Sequence, residues 1–280
     1  MSQVEVYSAG LDHPECVAID PDGRVWAGGE AGQIYVIDPE TRQPEVICQL
    51  NAMAAGLAFD RNGYCFVCSQ DNTIARVAAS GEWEVFCDSV DGRPLRAPNF
   101  PAFGPDGSLY VSGSGDYPGP TGEIYRINPG GEATVFHSGP FYYANGLAID
   151  QDARFLYVAQ TATDDVVRVP LDGSGTPPEQ VCAPGALLPM PDGLAFDADG
   201  NLYVTSFGAS ALERIRPGGE IELVAQDERG LTMNRVTNCA FGGPDLEQLF
   251  LANLGGWHVS VMPSDTPGQP LFHQTAVSRG

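Results

Sequence analysis

Positive charge is scarce in this chain of 280 residues: 14 basic side chains stand against 36 acidic ones, a formal net charge of −22. Such a surface repels a nucleic-acid duplex and an anionic membrane, which excludes both as partners and leaves small molecules. No apolar run approaches the roughly 20 residues needed to span a bilayer. The opening MSQVEVYSAG has no basic region followed by an apolar one, so no secretory leader is expected. Familiar catalytic signatures are missing too. There is no G-x-S-x-G nucleophile elbow, and the glycines of VSGSGD (111–116) lack the spacing of a dinucleotide or phosphate loop. The four histidines, His13, His137, His258 and His273, show no metal-ligand spacing. No segment carries a 3.6-residue period over a helix length.

Cysteine is present but gives no framework. The seven residues (Cys16, Cys48, Cys65, Cys68, Cys87, Cys182, Cys239) are an odd number and fall mostly inside apolar strand patterns. They read as reduced thiols of a cytoplasmic protein. Cys65 and Cys68 resemble a C-x-x-C pair, but the strand YCFVCS turns residues three apart to opposite faces.

What the chain does have is a repeat. The segments ECVAID, AGLAFD, NFPAFG, NGLAID, DGLAFD and TNCAFG recur with lead residues Glu15, Ala55, Asn99, Asn145, Asp192 and Thr237, at separations of 40, 44, 46, 47 and 45. Each opens a unit that reads as four strands, as in GLAFD, NLYVTS, LERIRP and IELVAQ of the fifth. Six such units predict an all-β fold: one six-bladed β-propeller of four-stranded blades, a single domain over 1–280. The blades are expected near 15–50, 55–88, 99–138, 145–183, 192–226 and 237–274. The opening strand 4–8 should close the ring, with PLFHQ (270–274) as the competitor for the outermost place. The Asp-rich turns at 20–23, 104–107 and 197–200 lack the donor pattern of a calcium loop and read as tight turns on the opposite face.

In a propeller the first strand of each blade lines the central channel, so the six lead residues should ring its mouth. Glu15, Asn99, Asn145 and Asp192 would bring two carboxylates and two amide carbonyls into one small volume. Two close carboxylates raise each other's pKa unless a cation lies between them. An all-oxygen donor set selects calcium first, with magnesium, manganese or zinc as alternatives. Coordination left incomplete at an open mouth is what Lewis-acid catalysis requires. The loops above offer Phe100, Tyr142, Tyr143, Leu188, Met190, Met233, Trp257 and His258 as a largely apolar rim. Of these, Phe100, Tyr142, Tyr143, Met190 and His258, together with Asn99, are the candidate substrate contacts.

The motifs PEC (14–16), PNF (98–100), NGLAID (145–150), PDGLAFDADGNLYV (191–204) and TNCAFGGPDLEQLFLANL (237–254) resemble the regucalcin–gluconolactonase family over nearly the whole chain. That family includes lactonases and the related calcium-dependent diisopropylfluorophosphatase. The resemblance implies that Glu15, Asn145 and Asp192 are metal ligands and that Asn99 holds metal or substrate. It also implies that Asp192 is the general base or nucleophile of a metal-dependent lactonase. One departure bears on the substrate. The regucalcin branch has Arg-x-Asn-Asp where this chain has Ala97-Pro98-Asn99-Phe100, and Arg96 sits one place off register. The competing readings are a phosphotriesterase and a non-catalytic, metal-stabilised binding propeller. Nothing in the sequence sets the oligomeric state.

Overall fold

The computed structural model describes residues 3–272 and 274. Its strands form six four-stranded antiparallel sheets set in a ring, a six-bladed β-propeller, with one small extra hairpin, Ser89–Val90 against Arg93–Pro94. Among the described residues the helical content is a single 3₁₀ turn, Pro244–Leu246, and no helix is long and apolar enough to cross a membrane. The first strands of the blades are Cys16–Ile19, Ala54–Phe59, Pro98–Phe103, Ala144–Ile149, Pro191–Phe196 and Val236–Gly242.

Two local rules of the sequence build each blade. The Asp-rich turns close on themselves: Asp20 Oδ1 accepts the Asp22 and Arg24 amides at 3.0 and 2.8 Å, while Gly23 takes the left-handed φ of 83° that the turn requires. Asp197 repeats this with the amides of Asp199 and Asn201 at 3.0 and 2.9 Å. Apolar alternation then supplies the packing between blades. An aromatic on the second strand of one blade meets an aromatic on the first strand of the next, edge to face. Trp26 meets Phe59 at 5.1 Å, Phe66 meets Phe103 at 5.1 Å, Tyr157 meets Phe196 at 4.9 Å, and Tyr203 meets Phe241 at 5.3 Å. Such pairs contribute about 0.5–1.5 kcal/mol each beyond area burial. All seven cysteines are free. Cys65 packs into the layer between the first two blades and Cys68 into the layer on the other side, so the C-x-x-C spacing joins nothing.

Both chain ends secure the ring. Glu5–Ala9 pairs antiparallel with His258–Pro263 and takes the outermost place of the sixth blade. The competing segment leaves the blade after Pro263 and runs beneath the channel. There the Ala198 amide donates to Pro267 O (2.8 Å) and Gln269 bonds Phe196 O and Ile149 O (2.9 and 3.0 Å). Arg61 Nε donates to Phe272 O at 3.2 Å. Gln269, Leu271 and Phe272 thereby floor an apolar cavity of about 120 Å³, walled by the first strands and bordered by Ala18, Ala58, Ala102, Ala148, Ala195 and Ala240. The channel is thus closed from below by the chain's own C-terminal segment. His273 lies outside the described residues.

Candidate functional site

At the mouth each first strand begins with a distortion that aims its lead residue. In five blades the ladder between first and second strands breaks register at this point, for example between Pro98 and Pro101, Ala144 and Leu147, and Pro191 and Leu194. A bulge of this kind twists the strand and redirects the side chain. Two residues before the lead position the backbone is left-handed without being glycine: His13 (φ 42°), Ala97 (44°), Tyr143 (60°), Met190 (61°) and Arg235 (50°). Such conformations cost on the order of 1–2 kcal/mol each and gather where a site is being shaped.

Hydroxyl groups hold these entrances in register from blade to blade. Ser114 Oγ donates to Ala144 O (2.8 Å), Thr161 Oγ1 to Pro191 O (2.8 Å), Thr205 Oγ1 to Thr237 O (2.9 Å) and Thr237 Oγ1 to Glu15 O (2.7 Å). Glycines next to the lead residues allow the close approach. An added Cβ at Gly146 would lie 2.2 Å from Asp192 O, and one at Gly193 would lie 2.6 Å from Asn238 Cα.

Asn99, Asn145 and Asp192 are buried and Glu15 is half-buried at this mouth. Glu15 Oε2 and Asn145 Oδ1 are shielded from solvent and accept no hydrogen bond. The two carboxyls sense each other. Burial raises Glu15 to about 8, and the charge of Glu30 adds to it. Burial and then the charge of Glu15 push Asp192 well above the ordinary carboxylate range. The Tyr143 phenol is raised by burial and by both carboxyls, which puts it within their field. Two mutually repelling carboxyls beside unpartnered carbonyl oxygen fit a hard divalent cation, whose ligands are oxygen and whose charge removes the conflict. His, Cys and Lys are absent from these positions.

The candidate substrate contacts divide. Tyr142 is 37 % exposed, and Tyr143 stands edge-on to Tyr117 at 5.5 Å; Tyr117, 59 % exposed on the neighbouring loop, was not legible from the repeat. Met190 lines a groove with Phe207 and Arg235 at the entrance of the fifth and sixth blades. Phe100 does not reach the rim. The bulge turns it into the wall of the apolar cavity, and its amide donates to Ser112 Oγ at 3.0 Å. Met233 is fully buried in the layer between the fifth and sixth blades, leaving Trp257, packed on His13 at 4.3 Å, as the exposed aromatic of that side. His258 Nε2 faces Thr232 O at 3.2 Å and so tethers the loop above it; burial lowers its pKa. Arg96 is bonded to Asp116 at 2.8 Å.

That loop, 227–233, is pinned by Asp227, which accepts the amides of Arg229, Leu231, Thr232 and Met233. Against the opposing effect of burial, those amides lower its pKa to about 2. A depressed carboxylate contributes stability above its unfolded pKa of roughly 3.9 that is lost as pH falls through the folded value. Asp227→Asn should therefore melt below wild type at pH 5, and the gap should close towards pH 2. A gap that is constant with pH would mean the charge is immaterial.

A further acidic group escaped the sequence reading. Asp12, His13 and Glu30 bring potential ligand atoms within 4.8 Å of one another on the rim beside Glu15. His13 Nδ1 is 2.8 Å from Leu254 O, and Asp12 Oδ2 accepts from Gln33 Nε2 at 3.0 Å. The signal was available in principle, because the turn between second and third strands that carries Glu30 lies on the mouth face.

A six-bladed propeller whose channel mouth is ringed by oxygen donors is the class that fold and site define. The chain belongs to the SMP-30/gluconolactonase/LRE-like family, whose model matches residues 13–254. It is 25 % identical over 237 residues to the pentonolactonase XacC of Haloferax volcanii, covering 82 % of this chain and 77 % of that protein. A gluconolactonase from Xanthomonas campestris superposes with a TM-score of 0.80 at 19 % identity, over 95 % of this chain and 90 % of that one. Regucalcin from Agrobacterium tumefaciens, a calcium-binding protein, does so with a TM-score of 0.74 at 20 % identity, over 96 % and 95 % of the two chains.

Proposed function

We propose that the protein is a divalent-metal-dependent hydrolase of a small-molecule lactone or related ester. The observation that carries this is that Glu15 Oε2 and Asn145 Oδ1, both buried without a hydrogen-bond donor, lie at the channel mouth with the raised carboxyl of Asp192. Glu15, Asn99, Asn145 and Asp192 would hold the ion, calcium by preference for an all-oxygen set, with magnesium, manganese or zinc as alternatives. When bound, it would supply Lewis-acid polarisation of the substrate carbonyl. Asp192 takes the proton of the attacking water through the carboxylate oxygen turned to the substrate, or adds to the carbonyl itself. Tyr143, kept protonated by its surroundings, donates a hydrogen bond towards the substrate, and Tyr142 and Met190 bound the pocket. The lactonase and gluconolactonase names of the relatives support this reaction class. Seven free thiols accord with a cytoplasmic enzyme.

A second reading, phosphotriester hydrolysis, draws on the mouth itself. Arg96 is engaged by Asp116, while Tyr117 and Trp257 are 59 % and 58 % exposed, which favours a substrate less polar than a sugar lactone. Parallel assays on lactones and phosphotriesters separate the two readings. A protein that binds calcium but turns over neither panel is a binding propeller.

The direct test is calorimetric titration of chelator-stripped protein with calcium from pH 5 to 9, with hydrolysis followed in parallel. The cation must displace the protons retained by Glu15, raised to about 8, and by Asp192, raised well above the ordinary carboxylate range, so affinity should climb as pH rises from 5 to 8. In the metal-free protein the same raised pKa makes the folded state bind more protons than the unfolded one. Stability should therefore fall as pH rises from 5 to 8, and saturating calcium should reverse the loss. Calcium at 100 times its dissociation constant adds about 2.7 kcal/mol. Absence of binding, or hydrolysis untouched by chelation, refutes the proposal.

A further inference from the structure

We infer that Thr161 is a positioning residue that fixes which atom of Asn145 faces the channel. The inference rests on the metal-site reading above. Thr161 follows the second strand of the fourth blade, Phe155–Gln160, and is 5 % exposed. Its hydroxyl donates to Pro191 O at 2.8 Å and accepts from Asn145 Nδ2 at 3.1 Å. A hydroxyl has a single proton, and a carbonyl oxygen can only accept. With that proton committed to Pro191, the group can offer Asn145 nothing but a lone pair, and only the amide NH₂ can meet it. Asn145 Oδ1 is thereby left pointing into the site, buried and without a donor. A reversed amide would set oxygen against the Thr161 lone pairs and present NH₂ to an incoming cation, losing on both sides. Because Pro191 adjoins Asp192, the same hydroxyl also ties the amide's orientation to the entrance of the next blade.

The fold supplies its own control. Ser114 occupies the matching place in the third blade and donates to Ala144 O at 2.8 Å, the carbonyl preceding Asn145, and no ligand-side amide is bonded to it among the described residues. Ser114 therefore has the inter-blade role without the orienting one.

The experiment is calcium titration by calorimetry of chelator-stripped wild type, Thr161→Val, Thr161→Ser and Ser114→Ala, each with a thermal melt. Loss of a partner that orients a metal ligand typically weakens binding 10–100-fold. Thr161→Val should lose that much, Thr161→Ser should retain wild-type affinity, and Ser114→Ala should lower the melting temperature without weakening calcium. In an Asn145→Ala background, Thr161→Val should weaken calcium no further, because the residue acts through the amide. Should Thr161→Val fail to fold, Thr161→Ala replaces it. Tight calcium binding by wild type and Thr161→Val alike overturns the inference alone. No calcium binding by wild type overturns the metal reading and the inference with it.

Discussion

Asp192→Asn is expected to abolish turnover while the propeller stays folded. The asparagine is nearly isosteric, and the backbone on either side is anchored without the carboxylate: Pro191 O accepts from Thr161, and the Gly193 amide donates to Thr205 Oγ1 at 2.8 Å. What disappears is the charge. A positioned general base contributes about 10²–10⁴-fold to a rate, and a nucleophile cannot be replaced by an amide at all, so kcat should fall by at least that range. The metal-free variant should melt no lower than wild type. In the metal-free wild type burial, and then the charge of Glu15, oppose the ionisation of Asp192, and the substitution removes that cost. Activity on a verified lactone with calcium in excess, paired with a melt in chelator, measures both halves. Full activity in the variant would remove Asp192 from the chemistry. A collapsed fold would mean that the carboxyl is a structural group.

Much of the architecture was legible because a propeller writes its plan into the sequence as a period. One unit repeated six times fixed the blade number, the channel-lining strand and the lead position, and the structure brings Glu15, Asn145 and Asp192 to one mouth. What escaped depends on departures from regular alternation or on contacts distant in sequence. A period of two assigns Phe100 and Asn99 to opposite faces, but the bulge between Pro98 and Pro101 decides where each face points, and it sends Phe100 into the channel wall. Met233 lies on a loop and was expected at the rim; the turn centred on Asp227 folds that loop back so that Met233 drops into the core. The path of 264–272 under the channel rests on bonds to carbonyls over 70 and over 100 residues away, Phe196 and Ile149, which no local pattern announces. The hydroxyls of Ser114, Thr161 and Thr205 were not singled out, because a side chain's partner across a blade boundary leaves no mark in spacing.

Gly146→Ala should lower stability, calcium affinity and kcat together. The position is not one where glycine is needed for an unusual φ; it is one where two backbones meet. The added methyl would lie 2.2 Å from Asp192 O, 2.8 Å from Gly193 Cα and 2.9 Å from Leu194 N, all main-chain atoms of the next blade. No side chain can swing aside to absorb that overlap, so the first strands of the fourth and fifth blades must separate. Overpacking in a well-filled core costs about 1–3 kcal/mol. For a domain of this size that corresponds to roughly 2–4 °C in melting temperature per kcal/mol. The same displacement moves Asn145 away from Asp192, so calcium affinity and kcat should fall together with stability. Gly218→Ala is the proper comparison, because an added Cβ there meets nothing within 4 Å and its melting temperature and activity should match wild type. If Gly146→Ala also matches wild type, the spacing of the oxygen ring is not set by contact between adjacent first strands. The hydroxyl bonds that run from blade to blade must then be sufficient to hold it.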